Sequence, residues 1–190
     1  MKLTFLGTGT SIGIPEMCCH CPTCMSHDQH DKRLRTSALI ETGCENILID
    51  CGPDFRQQAL REGIEKIDAV IVTHEHYDHV GGLDDLRPYC TGRDIPVYAE
   101  QYVIDDIRQR IPYCFGDSKK PRTANMQPIP IEPGRKFKVG QTEILPIRVM
   151  HGNIPILGFR IGDLAYITDM KSVDEHNFNL ISDVRTLVVN

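Results

Sequence analysis

The sequence lacks any apolar run that approaches the roughly 20 residues needed to cross a lipid bilayer. Its opening, MKLTFLGTGTSIGIPE, also lacks the sustained apolar segment and small-residue cleavage site of a secretory signal peptide. Basic residues are not in excess, since the formal net charge at pH 7 is −5. We therefore expect a cytoplasmic protein without a membrane partner, and not a general nucleic-acid binder, because that role depends mainly on a basic surface.

The bulk composition fits one globular domain. Hydrophobic residues make up 41% and charged residues 25% of the 190 positions, which is ordinary for a soluble protein with a real core. The sequence contains no internal repeat, linker or low-complexity tract. We predict a single domain over residues 1–190.

Apolar patterns predict strands and helices mixed along the whole chain. Strands are predicted at residues 2–7, 37–42, 46–52, 68–73, 95–100 and 184–190, within 127–151, and as a hairpin over 156–169. Helices are predicted at residues 53–64, 101–111 and 173–182, and a surface loop at 112–126. Such mixing predicts an α/β protein whose sheets are covered by helices on their outer faces.

The segment THEHYDH, residues 73–79, follows a run of apolar residues that reads as a buried strand. Its histidines are His74, His76 and His79, and Asp78 lies among them. Uncompensated imidazoles at the end of a buried strand are costly, whereas neutral His and ionised Asp are the usual ligands of zinc and similar ions. The spacing can direct side chains into two adjacent metal sites.

THEHYDH matches the His-x-His-x-Asp-His signature of the metallo-β-lactamase fold superfamily. His151 follows a predicted strand and Asp169 closes the next hairpin, at the places where that superfamily carries ligands. GTGTS and ILIDCG also resemble its opening strands. The resemblance covers essentially the whole chain, and it implies an αββα sandwich.

Several segments resemble the PhnP-like cyclic phosphodiesterase branch of that superfamily. They are FLGTGTSIGIP, CHCPTC, RLRTSALIE, LIDCGPDFRQQ and GGLDDLRP. This branch implies hydrolysis of small cyclic or nucleotide-like phosphodiesters by a dinuclear metal-bound hydroxide. The metals would be two divalent ions, either zinc or manganese.

The resemblance also assigns ligands to the two metals. The first metal would be bound by His74, His76 and His151. The second would be bound by Asp78 and His79, with Asp169 bridging the two. This set is one His short of the superfamily pattern, so we expect a C-terminally truncated chain with an incomplete sandwich and a weak second metal site. An incomplete sheet would expose a strand edge and favour a homodimer.

Two of these ligands have a further predicted role, and two more residues complete the predicted site. Asp78 and Asp169 are the predicted catalytic carboxylates, the first orienting the hydroxide and the second setting the metal separation. Asp50 is predicted to orient a metal-bound His from outside the ligand set. Arg87 either binds substrate phosphate or pairs with Asp84 or Asp85.

The Cys-rich loop, residues 18–24, holds a possible second kind of metal site. Cys19, Cys21 and Cys24 suit a structural zinc at this close spacing. The family resemblance implies a distant C-terminal His as the fourth ligand, which this sequence does not show. Cys18, His20 or His27 could take its place. A loop of free thiols is the alternative.

Other functions use the same ligand pattern. An RNA 3′-end processing nuclease is the second hypothesis, although no Lys/Arg-rich insertion is visible and the chain is acidic. Thioesterase and β-lactamase activities also occur on this fold, because fold alone does not fix chemistry. A non-catalytic metal-binding module is the hypothesis from another class, and the missing His favours it.

Overall fold

The computed structural model describes residues 1–116 and 123–190, and its framework is two β-sheets. Sheet 1 has six strands in the order β1-β2-β3-β4-β5-β6. Their bounds are β1 Lys2–Gly7, β2 Ser37–Glu41, β3 Asn46–Ile49, β4 Ala69–Ile71, β5 Ile95–Ala99 and β6 Met126–Pro130. The first three strands pair antiparallel and the remaining pairs are parallel. The carboxyl ends of β3, β4 and β5 therefore meet at one edge of the sheet.

Sheet 2 has five strands in the order β11-β10-β9-β8-β7. Their bounds are β7 Phe137–Val139, β8 Thr142–His151, β9 Ile154–Ile161, β10 Leu164–Ile167 and β11 Thr186–Val189. Strands β7 to β10 form an antiparallel meander, and β11 lies parallel to β10.

The helices lie between strands in the chain. The α-helices are α1 Pro22–Met25, α2 Phe55–Glu62, α3 Tyr77–Val80, α4 Gln101–Arg110 and α5 Glu175–Asn179. Three 3-10 helices cover Gln29–Asp31, Leu83–Cys90 and Pro112–Cys114. In the part of the chain that the structure describes, no helix has the length and apolar character that a bilayer crossing requires.

Strand alternation explains the continuous apolar runs of β3 and β4. Successive side chains on a strand point to opposite faces. Leu48 and Val70 pack among side chains of α2 and α4, whereas Ile49 and Ile71 pack between the two sheets. Both faces of sheet 1 are therefore buried, as the unbroken apolar runs of parallel strands predict.

Sheet 2 is likewise covered on both faces. Ile144 and Phe159 face sheet 1, while Ile147 and Val149 form an outer cluster with Ile181, which follows α5. The layers thus run helix, sheet, sheet, helix. The predicted α/β fold with an αββα sandwich is confirmed.

The predicted elements are found with their ends shifted by a few residues. The predicted hairpin turns at Gly162 and Asp163, between β9 and β10. The loop predicted at 112–126 was wrong at its two ends, where a 3-10 turn covers Pro112–Cys114 and β6 begins at Met126. Residues 117–122 of that loop lie outside the described residues.

Phe159 provides a test of the inter-sheet core. Its side chain is fully buried between the sheets, so Phe159→Ala should lower the free energy of unfolding by about 3–5 kcal/mol through lost burial and a cavity. Phe178 on α5 is 51% exposed, and Phe178→Ala should change stability by no more than about 0.5 kcal/mol. Denaturant unfolding of both variants measures the difference, and equal losses would contradict this account of the core.

Candidate metal centre

The predicted site residues come together at one edge of the sandwich. Asp50 follows β3, His74 follows β4, and His76 precedes the short helix α3. From sheet 2, His151 is the last residue of β8, and Asp169 lies two residues beyond β10. The site therefore spans the gap between the two sheets and takes donors from both.

A fully buried carboxylate organises the sheet 1 side of this site. Asp50 Oδ1 accepts a hydrogen bond from the Thr73 amide at 2.8 Å, and Oδ2 accepts one from the Thr73 hydroxyl at 2.9 Å. Oδ2 also lies 2.7 Å from Nδ1 of His79. Since an ionised carboxylate only accepts, His79 Nδ1 carries the proton and its Nε2 faces the site.

Thr73 fixes the orientation of His74 in the same way. The single Thr73 hydroxyl proton is directed to Asp50, so the Thr73 oxygen accepts from His74 Nδ1, 3.0 Å away. This leaves a lone pair on His74 Nε2. Burial, followed by the neighbouring His79 and His76 rings, lowers the pKa of His74 to about 3. The ring is therefore neutral at physiological pH and suited to bind a cation.

Two groups of donors overlap at His74. Nitrogens of His74, His76 and His151 lie within 4.8 Å of one another. Donor atoms of His74, His79 and Asp169 form a second group within the same limit. The first group is the predicted first metal set, and the second contains His79 and Asp169 of the predicted second set.

Asp169 belongs to the second group and also lies close to His74, which the two groups share. Its Oδ2 lies 2.8 Å from His79 Nε2 and 3.7 Å from His74 Nε2. Asp78 approaches the same His79 nitrogen from another side, with its Oδ2 at 3.3 Å. A carboxylate oxygen near two imidazole nitrogens has the placement that the prediction of a bridging role requires.

Several buried donor atoms here have no hydrogen-bond partner among the described residues. His79 Nε2 and His151 Nδ1 are both buried without one, because Asp169 approaches His79 at short distance but poor hydrogen-bond geometry. Buried polar atoms are almost always satisfied, so these two nitrogens have the environment of metal-binding atoms. Imidazoles and carboxylates in this number fit zinc or manganese.

The carboxylates around His79 also favour a bound cation. Burial lowers the pKa of the His79 ring, but the carboxylates of Asp50, Asp169 and Asp78 raise that pKa by more, leaving it well above the ordinary value. Burial raises the pKa of Asp78, but the close contact with His79 and the charge of its ring lower that pKa by more, to about 2. Carboxylates that favour a proton on His79 Nε2 would equally favour a divalent cation beside it.

A glycine allows the Asp50 loop to approach α3. A Cβ at Gly52 would lie 2.0 Å from the Asp78 carbonyl oxygen, and the Cys51 amide donates to the His79 carbonyl at 2.7 Å. Asp50 itself has a φ of 57°, and Asp169 has the same value. Both carboxylates thus occupy a backbone region that is uncommon for non-glycine residues and frequent at functional sites.

The cysteines of the loop also converge. The sulfur atoms of Cys19, Cys21 and Cys24 lie within 4.8 Å of one another, and the Cys24 amide contacts Cys21 Sγ at 3.5 Å. Among the described residues no fourth donor joins this group. The structure therefore presents three of the four thiolate or imidazole positions of a structural zinc site.

Two outcomes concern residues outside the donor groups. Arg87 is half-exposed and forms an ion pair with Asp84, which is one of the two pairings predicted from the sequence. Substrate binding by Arg87 remains a prediction.

Thr73 was missed by sequence reasoning, although its position directly before His74, at the end of a buried strand, was a usable signal.

The fold and site geometry agree with the similarity to known proteins. Residues 45–190 match the family described as Beta-lactamase superfamily domain. A crystal structure of a diphosphatase from the PhnP family superposes with a TM-score of 0.89 and 36% identity, over 97% of this chain and 71% of that one. The chain belongs to the beta-lactamase superfamily, in its PhnP family. The resemblance predicted from THEHYDH and CHCPTC is thereby confirmed.

Curated relatives of this PhnP-family chain carry different names. A Porphyromonas gingivalis protein named octanoyltransferase is 50% identical over 100% of this chain and 39% of its own length. A Bradyrhizobium ribonuclease Z is 27% identical over 83% of this chain and 48% of its own length. The chain thus spans less than half the length of either relative.

Asp50 provides the first test of the metal centre. Asp50→Asn removes the charge that holds His79, so the zinc dissociation constant should rise by about 10–100-fold. Competition with a chromophoric chelator measures it. Asp68, at the opposite end of β4, also accepts a backbone amide, from Asn46 at 2.9 Å, and Asp68→Asn should leave zinc affinity unchanged. A comparable loss of zinc affinity in both variants would contradict the role assigned to Asp50.

The cysteine loop should bind a separate zinc. Cys21→Ser is expected to lower the zinc content by one equivalent per chain while the His cluster keeps its metal, because the two groups share no residue. Cys44→Ser is the control, since Cys44 is exposed and outside the trio. Elemental analysis after dialysis counts the equivalents, and an unchanged count in Cys21→Ser would mean that the loop carries free thiols.

Proposed function

We propose that this chain is a metal-dependent phosphodiester hydrolase with a dinuclear centre at the His cluster. The observation that carries the proposal is the overlap of two donor groups at His74, with the Asp169 carboxylate close to both His79 and His74. Two such ions, when bound, lower the pKa of water for attack on phosphorus and neutralise charge on the phosphoryl oxygens.

The residues of the chain have distinct roles in this scheme. His74, His76 and His151 would hold one ion, while His79 and Asp78 would hold the other. Asp169 sets the separation of the two groups. Asp78 presents a carboxylate oxygen 3.3 Å from His79 Nε2, where it can accept a hydrogen bond from the attacking water and orient it.

The similarity to a PhnP-family structure supports a small phosphate-containing substrate. The PhnP-family structure is that of a diphosphatase, and this chain covers 71% of it at 36% identity. A small phosphate ester or anhydride fits a chain whose net charge of −5 offers little attraction to a long polyanion. We therefore propose small cyclic or nucleotide-like phosphodiesters as substrates.

A ribonuclease Z-like activity is the second candidate. It is favoured by the Bradyrhizobium relative, which matches 83% of this chain. Both candidates share the metal chemistry and differ in the size of the substrate. A tRNA precursor with a 3′ trailer and a small phosphodiester, assayed side by side, therefore distinguish them.

His76 provides the test of hydrolysis. His76→Ala should reduce turnover of bis-p-nitrophenyl phosphate by more than about 100-fold and lower the amount of bound metal. Loss of a residue that only hydrogen-bonds to a metal ligand lowers affinity or activity by about 10–100-fold, and loss of a ligand itself should cost more. Absorbance of the released p-nitrophenolate and elemental analysis give the two readings. His176→Ala is the control, because His176 lies on α5 outside both donor groups.

The outcomes separate the alternatives. Metal and turnover both lost in His76→Ala, and both kept in His176→Ala, support the hydrolase. Metal bound by the wild type without turnover of either substrate would instead identify a non-catalytic metal-binding module.

A further inference from the structure

Two contacts join the start of α4 to the β8–β9 hairpin, and they lie on either side of His151. Glu100 ends the connection from β5 to α4, and its carboxylate receives both Arg148 terminal nitrogens, at 2.7 and 2.5 Å. The Tyr102 hydroxyl donates to the Pro155 carbonyl at 2.8 Å. We call these four residues the α4 clamp.

The clamp lies at the edge where the distance between the two sheets determines whether the histidines of the first donor group can bind one ion. His74 and His76 follow β4 in sheet 1, whereas His151 is the only member of their donor group that belongs to sheet 2. His151 pairs with Ile154 across the hairpin. Arg148 precedes His151 on β8 and Pro155 follows it on β9, so both strands of the hairpin are tied to the segment that directly follows β5 of sheet 1.

The clamp has the properties of a rigid connection. The Arg148 and Glu100 side chains are 22% and 13% exposed, so the pair is shielded from water more than a surface ion pair. Two parallel N–H···O bonds fix the guanidinium in direction as well as distance. A backbone bond from Leu157 to the Thr73 carbonyl, at 3.0 Å, ties the same strand β9 to the residue before His74.

We propose that Glu100, Arg148 and Tyr102 are positioning residues that hold His151 within reach of His74 and His76. They act through His151 and not by contact with the metal or the substrate. This inference rests on the metal centre of the proposed function.

The first experiment is a matched pair of substitutions. Arg160 on β9 also forms a bidentate pair with one carboxylate, that of Asp183, and its side chain is 23% exposed, against 22% for Arg148. Arg148→Met should raise the zinc dissociation constant of the His151 group by about 10–100-fold. Arg160→Met should change it by no more than about twofold.

Zinc binding is measured by chelator competition, with Cys21→Ser in every variant so that the cysteine loop does not contribute. The titration step that disappears in His151→Ala identifies the His151 group. Tyr102→Phe removes one hydrogen bond and should weaken the same step with little loss of stability, which keeps the test valid where Arg148→Met folds poorly. Arg148→Lys keeps the charge and should recover part of the affinity.

A double-mutant cycle separates positioning from a general structural effect. In a His151→Ala background, Arg148→Met should have no further effect on the remaining zinc affinity. An equal additional loss in that background would overturn the inference, because the clamp would then act on the whole fold.

The wild type distinguishes failure of the positioning role from failure of the proposed function. If the wild type binds zinc at the His cluster and the clamp variants bind it equally well, only the positioning role is wrong. If the wild type binds no zinc at the His cluster, the proposed function is wrong, and the positioning role of the clamp is wrong with it.

Discussion

The buried Asp50 carboxylate is the interaction on which the rest of the metal centre depends. It has no exposed surface, and it contacts the Thr73 amide, the Thr73 hydroxyl and the His79 ring. A buried ion costs several kcal/mol unless its partners are well placed, so this one constrains them strongly. Through Thr73 it also determines which nitrogen of His74 is free. One carboxylate therefore fixes the direction of two metal-facing lone pairs.

The position of the centre between two sheets creates a second constraint. Sheet 1 holds its donors through backbone contacts between the Asp50 loop and α3, where Gly52 permits an approach that any Cβ would prevent. Sheet 2 supplies His151 and Asp169 from different strand ends. Side chains on separate sheets keep their distance only if the sheets are fixed to each other at that edge. Core packing such as that of Phe159 sets the general spacing, and polar contacts at the edge, such as those of Glu100, set it locally.

Much of this architecture could be predicted from the sequence because it follows from periodic burial. Strands β3 and β4 read as continuous apolar runs, and the αββα layering follows once both faces of such strands must be covered. The motif THEHYDH predicted that His74, His76 and His79 lie close together, because imidazoles crowded at the end of a buried strand are costly unless a cation binds them. Asp78 lies in neither donor group, and its role as a ligand stays a prediction. His151 and Asp169 were found only through the family resemblance, since an isolated His or Asp after a strand carries no local signal.

What the sequence could not provide was contact across large separations. Glu100 pairs with Arg148, 48 residues away, and neither residue stands in a distinctive pattern. Arg87 had two partners to choose from, and only the turn geometry of Leu83–Cys90 selects Asp84. The sharing of His74 between two donor groups likewise depends on distances between atoms, and the positions of the histidines along the sequence do not reveal it.

The residues around the centre are constrained differently from the donors themselves. His74 and His79 are held by buried hydrogen bonds to Thr73 and Asp50, so substitutions there would leave buried polar groups without partners. Tyr77 stands between His76 and Asp78, yet its side chain is 64% exposed and belongs to neither donor group. Fold alone does not fix chemistry, and an exposed side chain such as that of Tyr77 can be exchanged without disturbing the buried contacts of the donors.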